Sequence, residues 1–251
     1  MCLRLVWLVF CLIYSWTSLV HAQLPPDIEQ CVAGDGICIA NVINFIIKQH
    51  PQGIPEIGLD ALDAINFDNI IVSEAEPDTP LQLSLKFNSL TVHGFENTTI
   101  LRAKGFEKQY QRGFELVGFT PLLRLDGEYE ATGKLLLLPL EGKSQARVQL
   151  KDCKFTCRAK AAEDRRVEGK LFLKITKFKC LLIISGLHVN FENLLNNKEL
   201  SDTMNELINN NWQDVWQALR VGMNSAVDQV AETILTRVLS QLSYDDFYKP
   251  T

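Results

Sequence analysis

Positive charge is scarce in this sequence relative to negative charge. The 25 lysine and arginine residues are outnumbered by 30 aspartate and glutamate residues, which leaves a formal net charge of −5. No run of basic residues stands out along the chain, whereas nucleic-acid-binding domains carry a basic patch or stripe. The composition therefore argues against a nucleic acid as a partner.

The sequence also lacks the motifs of common enzyme classes. It contains no Gly-x-Ser-x-Gly nucleophile motif and no Gly-x-Gly-x-x-Gly nucleotide fingerprint. Gly142-Lys143-Ser144 resembles the end of a phosphate-binding loop, but a leucine stands where the first glycine is required, so we expect an exposed turn there. Outside the N-terminal segment, His50, His93 and His188 are widely separated. We therefore expect no catalytic residue, no cofactor and no metal ion, and predict that the protein is not an enzyme.

The N-terminal segment has the pattern of a secretory signal. Arg4 precedes an apolar run over residues 5–14, and Val20-His21-Ala22 provides a small-residue cleavage site before Gln23. A membrane anchor is the alternative, but polar residues from Ser15 onward interrupt the run before it can span a bilayer. We predict a signal peptide at residues 1–22, a secreted mature domain at residues 23–251, and no transmembrane segment.

Five of the seven cysteines follow the predicted signal peptide, which is an odd number. Cys31 and Cys38 flank a short Ala-Gly-Asp-Gly turn, and secreted proteins commonly contain disulfides, so we predict a disulfide between these two residues. Cys153, Cys157 and Cys180 lie on two segments that are expected to form a β-hairpin. Either of the first two could pair with the third and leave a free thiol. A zinc site formed by these three cysteines and a histidine is the alternative, although the CxxxC spacing is poor for zinc.

One sequon for N-glycosylation is present, at Asn97-Thr98-Thr99. In a secreted chain we expect Asn97 to carry a glycan. The loop that contains it is therefore predicted to be exposed.

The middle of the chain has the alternating pattern of β-strands. Leu83, Leu85 and Phe87 alternate with polar residues, and the register then shifts before Leu90, as it does at a β-bulge. Turn signals, including Asp126-Gly127 and Glu141-Gly142, separate further strand-like segments, and the short connections predict an antiparallel meander. The predicted elements are a short helix at residues 38–49 and strands at 100–104, 112–119, 122–129, 131–138, 146–157, 169–180 and 181–191.

Two strand-like runs, at residues 135–138 and 181–184, are apolar at every position. Such strands are buried on both faces or line an internal cavity. Two-sided core packing would explain one run alone. Together with the helix described next, two runs favour an enclosed apolar cavity.

The last part of the chain is predicted to form a long helix with a spiralling apolar stripe. Apolar residues over 212–242 recur at steps of three and four, as in an amphipathic helix. The later ones recur every four residues, and each such step overshoots a full turn by about 40°. A curved partner can cover this stripe, whereas a flat one cannot. We predict a helix over residues 200–242 that is wrapped by β-structure in an elongated domain, with a modest kink at Asn209-Asn210-Asn211 or Gly222.

The same C-terminal part carries a family resemblance. Residues 187–200, Met204-Asn205 and residues 209–212 resemble the signature of the takeout and haemolymph juvenile hormone-binding family. The early Cys31 and Cys38 are similar to that family's N-terminal disulfide, and residues 242–247 are similar to its tail. The resemblance extends over essentially the whole mature chain.

The resemblance implies an α+β fold of the tubular lipid-binding (TULIP-like) type, in which a strongly curved antiparallel β-sheet wraps a long C-terminal helix. It implies a carrier that binds a juvenile hormone-like terpenoid or an acyl lipid in an internal apolar tunnel, in a circadian, feeding or chemosensory setting. A cell-surface receptor is a further candidate partner, and we expect a monomer. Two alternatives stay open: an extracellular signalling or interaction factor with a structural lipid or a filled core, and an enzyme that acts on lipids.

Apolar residues on the predicted strands and on the C-terminal helix are the candidates for the tunnel lining. Each could instead be an ordinary core residue, because core and tunnel positions share the same pattern. The candidates are Leu85, Phe87, Phe119, Leu135, Leu137, Phe172, Trp216, Met223, Val227 and Ile234.

Overall fold

A computed structural model describes residues 22–75, 82–135, 138–164 and 170–250, with the backbone alone at residues 135 and 138. The predicted signal peptide, except Ala22, and the candidate residue Leu137 lie outside this described part. Within it are three α-helices and seven strands, here numbered in chain order. They are α1 (Gly36–Gln49), β1 (Ile65–Ser73), β2 (Gln82–His93), β3 (Thr99–Gly105), β4 (Phe114–Leu135), β5 (Leu138–Asp164), β6 (Phe172–Ile183), β7 (Gly186–Phe191), α2 (Lys198–Asn210) and α3 (Trp212–Gln241).

The strands form one antiparallel sheet, as predicted. The order is β1-β2-β4-β5-β6, with β3 paired to β4 and β7 paired to β5. The long strands β4 and β5 pair from Phe114 opposite Ala159 to Leu135 opposite Leu138. This continuous ladder forms the centre of the sheet, and the shorter strands extend it on both sides.

The predicted turns at Asp126-Gly127 and Glu141-Gly142 are wrong, because both dipeptides lie inside these long strands. The segment Gly142-Lys143-Ser144 is likewise part of β5 and not a turn. A Cβ atom at Gly127 would collide with the backbone carbonyl of Ser89, and one at Gly142 would lie 2.6 Å from the hydroxyl of Tyr129. These glycines therefore permit close packing across the sheet, which local sequence patterns cannot distinguish from a turn.

Strand β1 was not predicted from the sequence because its alternation is interrupted. Asn69 has a positive φ of 57°, so the inward-facing pair Ile65 and Phe67 is followed by Ile70 and Val72 instead of by residue 69. The bulge predicted in β2 is confirmed, since the register of its ladder with β4 shifts just after Phe87.

The predicted C-terminal helix is two helices. The chain leaves helical geometry at Asn211, whose φ and ψ are −116° and 31°, so the break lies in the asparagine triplet that was predicted as a weak point. Gly222, the other predicted weak point, lies inside the regular helix α3. A Cβ atom at Gly222 would collide with the carbonyl oxygen of Val72 in β1. Glycine is therefore needed there for close packing and not for a kink.

Helix α3 contacts both β1 and β6, the two ends of the strand order. On the β6 side, the carboxylate of Asp228 accepts a hydrogen bond of 2.5 Å from the backbone N–H of Cys180. Asn224 Oδ1 accepts a second one, of 3.1 Å, from the N–H of Leu182. On the β1 side the contact is the close approach at Gly222. The long helix thus closes the curved sheet, and the predicted α+β architecture is confirmed.

The expectation that both apolar strand runs are buried is wrong for residues 181–184. Leu182 is buried, but the side chains of Leu181 and Ile183 are 56% and 58% exposed. One face of β6 therefore presents aliphatic side chains to solvent. The other run, 135–138, lies outside the described side chains.

Candidate ligand cavity

An apolar cavity of about 70 Å³ lies between the curved sheet and the C-terminal helices. Strands β1, β2, β4, β5 and β7 form one wall, and α2 and α3 form the other. The residues that line it are all apolar: Ile70, Val72, Leu83, Leu85, Phe87, Leu90, Leu125, Ala131, Leu140, Val148, Leu187, Val189, Phe191, Leu194, Ile208, Val215, Trp216, Leu219, Met223 and Ala226.

Four of the candidate residues line this cavity. Leu85 and Phe87 point inward from β2 and are buried, because β2 lies in the interior of the strand order. Trp216 and Met223 reach the cavity from α3 and are half-buried. The structure thus brings the strand and helix candidates together from opposite walls.

Phe119 lies outside the cavity, on the outer face of the sheet. The inward positions of β4 include Thr120 and Leu123, so the alternation reverses between them. The reversal occurs opposite Asp152 of β5, which has a positive φ of 49°. Phe119 consequently points away from the cavity, and its partner on β5 is the exposed Lys154.

Three further candidates are buried or half-buried elsewhere. Phe172 is buried near the start of β6 but does not border the cavity. Val227 packs against the buried cluster of Ala159, Phe178 and Cys180, and both Val227 and Ile234 pack against the main hydrophobic core without bordering the cavity. The side chain of Leu135, like residue 137, is outside the described part.

Strand β7 and helix α2 supply lining residues that were not among the candidates. Leu187, Val189 and Phe191 line the cavity from β7, and Ile208 lines it from α2. The period-two spacing of the β7 residues was visible in the sequence. Residues 181–191 were instead predicted to form one strand, whereas β6 ends at Ile183 and β7 begins at Gly186 and pairs with β5.

Two asparagines of α2 hold β7 in place. Asn209 accepts a hydrogen bond of 2.8 Å from the N–H of Val189 and donates one of 2.9 Å to the carbonyl of the same residue. Asn205 makes the same pair of bonds with Phe191, at 2.9 Å each. These side chains replace the strand that β7 lacks on this edge, so its buried backbone groups are satisfied.

Tyr129 is the fully buried polar side chain beside the cavity wall. Its ring meets that of Phe191 edge to face, with centroids 4.9 Å apart, and its hydroxyl donates a 2.6 Å hydrogen bond to the carbonyl of Glu192. Burial raises the pKa of the Tyr129 hydroxyl to about 12, so it stays neutral at physiological pH. Its hydrogen bond is made within the protein, and the cavity surface itself remains apolar.

The cysteines that follow the predicted signal peptide form two disulfides and one thiol. Cys31 pairs with Cys38, and Cys157 pairs with Cys180 across β5 and β6. Cys153 is the free thiol, and burial raises its pKa to about 12. The zinc alternative would require two cysteines that are already bonded to each other, so the described structure does not fit it.

Asn97 is exposed in a short turn of 3-10 helix between β2 and β3. Its Nδ2 atom donates a 2.8 Å hydrogen bond to the carboxylate of Glu96. A glycan at this position would extend into solvent.

Among the described residues, no helix is both long and apolar enough to cross a bilayer.

Comparison with known proteins places the chain among relatives of similar length. A family model described as haemolymph juvenile hormone binding protein matches residues 6–249. The circadian clock-controlled protein daywake of Drosophila melanogaster is 26% identical over 251 residues, covering 97% of this chain and 96% of that protein. Daywake of Drosophila yakuba is 25% identical over 242 residues, covering 94% and 93% of the two chains.

A solved structure shows the same fold. The crystal structure of Takeout 1 from Epiphyas postvittana superposes with a TM-score of 0.73 at 20% sequence identity. The match covers 88% of this chain and 100% of that one. It extends the agreement from the sequence pattern to the arrangement of the sheet around the helix.

Proposed function

Because this chain belongs to the haemolymph juvenile hormone-binding protein family, we propose that it is a carrier for a small hydrophobic ligand, held in the cavity between the sheet and α3. The observation that supports this proposal is the lining of the cavity, which is apolar at every position. Moving apolar surface from water into such a lining contributes roughly 25 cal/mol per Å². A ligand that hides about 300 Å² therefore gains about 7 kcal/mol before the entropic cost of binding.

The ligand must enlarge the cavity to fit. Pockets for small molecules usually have volumes of about 300–1,000 Å³, several times the 70 Å³ found here. Trp216 and Met223 are half-buried lining residues on α3, whereas Leu85 and Phe87 on β2 are buried. Methionine also adapts its shape easily. We infer that the α3 side chains move to admit the ligand and that the β2 side chains form the fixed wall.

The lining formed by the described residues contains no polar side chain, and this indicates the ligand class. An ester, epoxide or carboxylate buried against these side chains would lose its hydrogen bonds to water. The part of the ligand held here is therefore a hydrocarbon chain, as in a juvenile hormone-like terpenoid or an acyl lipid. Its polar end lies beyond the residues that line the present cavity.

Native mass spectrometry of protein purified from its own source tests this proposal. A co-purifying apolar compound, released by organic extraction and competing with a fluorescent apolar probe, is the expected result. A compound that cannot be exchanged would indicate a structural lipid and an interaction factor. Protein that contains no ligand and takes up no probe would contradict the carrier function, and turnover of a lipid ester would indicate an enzyme.

We also propose that the protein is secreted as a monomer after removal of residues 1–22. Its two disulfides fit an oxidising compartment. Sequencing of the secreted protein should give Gln23 as the first residue, and glycosidase treatment should reduce the mass of a chain modified at Asn97. A membrane-bound protein that still carries residues 1–22 would contradict secretion.

The named relatives suggest a physiological setting. Both are called circadian clock-controlled proteins, and we propose that the amount of this protein also follows the clock. Sampling over a light–dark cycle and then in constant darkness should show a rhythm that persists without light. A constant level in both conditions would contradict the proposal.

A further inference from the structure

The outer face of the sheet has two regions that differ in how their charges are arranged. In the first region, cross-strand neighbours on β2, β4 and β5 carry opposite charges. Lys86 lies 3.1 Å from Glu130, and Arg147 Nε lies 2.7 Å from Asp126. Opposite charges on neighbouring strands stabilise a sheet, whereas like charges directly opposite each other destabilise it.

The second region, on β4, β5 and β6, contains like charges in register. Lys160 of β5 is directly opposite Lys177 of β6, and Arg158 is opposite Lys179. The inward-facing residues between these two pairs are Ala159 and Phe178, which are buried, so the cationic side chains project from the outer face. Where no acidic side chain of the protein compensates them, such like charges cost folding stability that an opposite charge outside the protein would recover.

Two of these cations have acidic partners and the others do not. Arg158 Nε lies 2.7 Å from Glu115, and Lys179 Nζ lies 2.7 Å from Asp228 of α3. Lys154, Lys160 and Lys177 form no ion pair within the described part of the chain. Acidic residues of the same hairpin, at 163 and 164, lie beyond the irregularity that follows Lys160.

Exposed aliphatic side chains lie in the same region. Leu181 is opposite Thr156, and Ile183 is opposite Lys154, on the rungs next to the cationic pairs. Both aliphatic side chains are more than half exposed. Lys154 therefore has Ile183 on one side and, on β4, Phe119 on the other. We call this surface the basic face. It consists of Phe119 on β4, Lys154, Arg158 and Lys160 on β5, and Lys177, Lys179, Leu181 and Ile183 on β6.

We propose that the basic face docks the protein on an anionic lipid surface. Lipid headgroups supply the missing negative charge, each nearby lysine adding to the attraction, while the two aliphatic side chains enter the interfacial layer. Lysine is depleted in protein–protein interfaces, which argues against a protein partner for a face with four lysines and one arginine. Exposed leucine and isoleucine contribute nothing to binding a sulfated polysaccharide, which argues against that partner.

The cations of the basic face come from two stretches of the sequence, residues 154–160 and residues 177–179. They lie between residues 154 and 179 of a chain with a formal net charge of −5, and the pairing of β5 with β6 brings them together. An acidic protein is repelled by an anionic surface unless it presents such a region. Docking would therefore also fix the orientation in which the protein approaches the membrane.

Flotation with lipid vesicles tests this proposal. The protein should bind phosphatidylcholine vesicles that contain about 30% phosphatidylserine, should not bind phosphatidylcholine alone, and should bind more weakly as salt is raised. Lys160→Glu with Lys177→Glu should weaken binding at least about thirtyfold, since each cation near such a surface contributes attraction that the reversal turns into repulsion. Leu181→Ser with Ile183→Ser should also weaken it.

The matched control reverses two lysines in the compensated region. Lys86→Glu with Lys143→Glu changes the net charge by the same amount and should leave vesicle binding within about twofold of the original. Uptake of a fluorescent apolar probe, which reports on the cavity and on folding, should be unchanged in all variants. A failure of docking is thereby distinguished from a failure of the carrier function.

Several results would overturn the proposal. These are equal binding to neutral and anionic vesicles, an equal loss in the two charge-reversed variants, and no binding to vesicles at all. Binding to heparin but not to vesicles, unaffected by Leu181→Ser with Ile183→Ser, would identify a sulfated polysaccharide as the partner instead.

Discussion

Single polar side chains decide whether the edge strands of this sheet can be buried. Asn44 of α1 serves β3 in the way that Asn205 and Asn209 serve β7, because its amide exchanges bonds of 2.7 and 2.9 Å with the backbone of Ile100. In the sequence these asparagines look like helix-breaking residues. Their function depends on a strand that lies beside the helix, so helical propensity alone could not reveal it.

Replacement of Asn209 by alanine leaves the N–H and carbonyl groups of Val189 without partners. Buried groups in that condition cost about 1–3 kcal/mol, so we expect the free energy of unfolding to fall by about 2 kcal/mol. Urea denaturation measures the change. The neighbouring Asn210→Ala is the control, because Asn210 is exposed, and it should change stability by less than about 0.5 kcal/mol. An equal loss of stability in both variants would show that the hydrogen bonds between Asn209 and Val189 do not stabilise the fold.

The buried thiol of Cys153 makes stability dependent on alkaline pH. Its folded pKa is raised from 9.0 to about 12, so the unfolded state loses its proton first. The stabilisation is complete below pH 9 and is lost as the pH rises from about 9 towards 12. Relative to Cys153→Ala, the original protein should lose about 1.4 kcal/mol of unfolding free energy between pH 8 and pH 10, measured by urea denaturation. An identical pH profile for the two proteins would contradict a buried thiol.

Among the secondary-structure elements, periodicity predicted the helices and most of the strands, but it did not predict where the strands begin and end. Glycines at 127 and 142 were interpreted as turn residues, although they pack against neighbouring strands inside β4 and β5. Asn69 hid β1 by interrupting its alternation. Periodicity reports which face of an element is apolar. Close approach between elements is a property of the folded sheet and leaves no local pattern.

Gly222 allows a direct test of how α3 is seated. Alanine is favoured over glycine in a helix by about 1 kcal/mol, but its Cβ atom would collide with the backbone of β1 at Val72. Overpacking of this kind costs up to about 3 kcal/mol, so we expect Gly222→Ala to lower the unfolding free energy by about 2 kcal/mol. Ser225→Ala, at an exposed position of the same helix, is the control. Stabilisation by Gly222→Ala would show that α3 does not pack against β1 at this point.

At the scale of the whole molecule, the architecture was more predictable than the cavity. The spiralling apolar stripe and the alternating strands were sufficient to predict a helix wrapped by a curved sheet. Trp216 and Met223 were identified as lining residues, whereas Phe119 lies on the outer face, where the alternation of β4 has reversed. The sequence separates apolar from polar positions, but it does not separate a residue beside a void from one in solid packing.

We propose that a hydrophobic ligand binds in the cavity beside α3. Titration of a fluorescent apolar probe into two variants, Ala226→Leu and Ala231→Leu, tests this proposal. Both substitutions add the same atoms to α3, but of the two alanines only Ala226 lines the cavity. The leucine at 226 would fill the void. We predict that Ala226→Leu weakens probe binding at least tenfold, roughly 1.4 kcal/mol, and that Ala231→Leu does not. Equal probe binding by both folded variants would show that the ligand does not bind in this cavity.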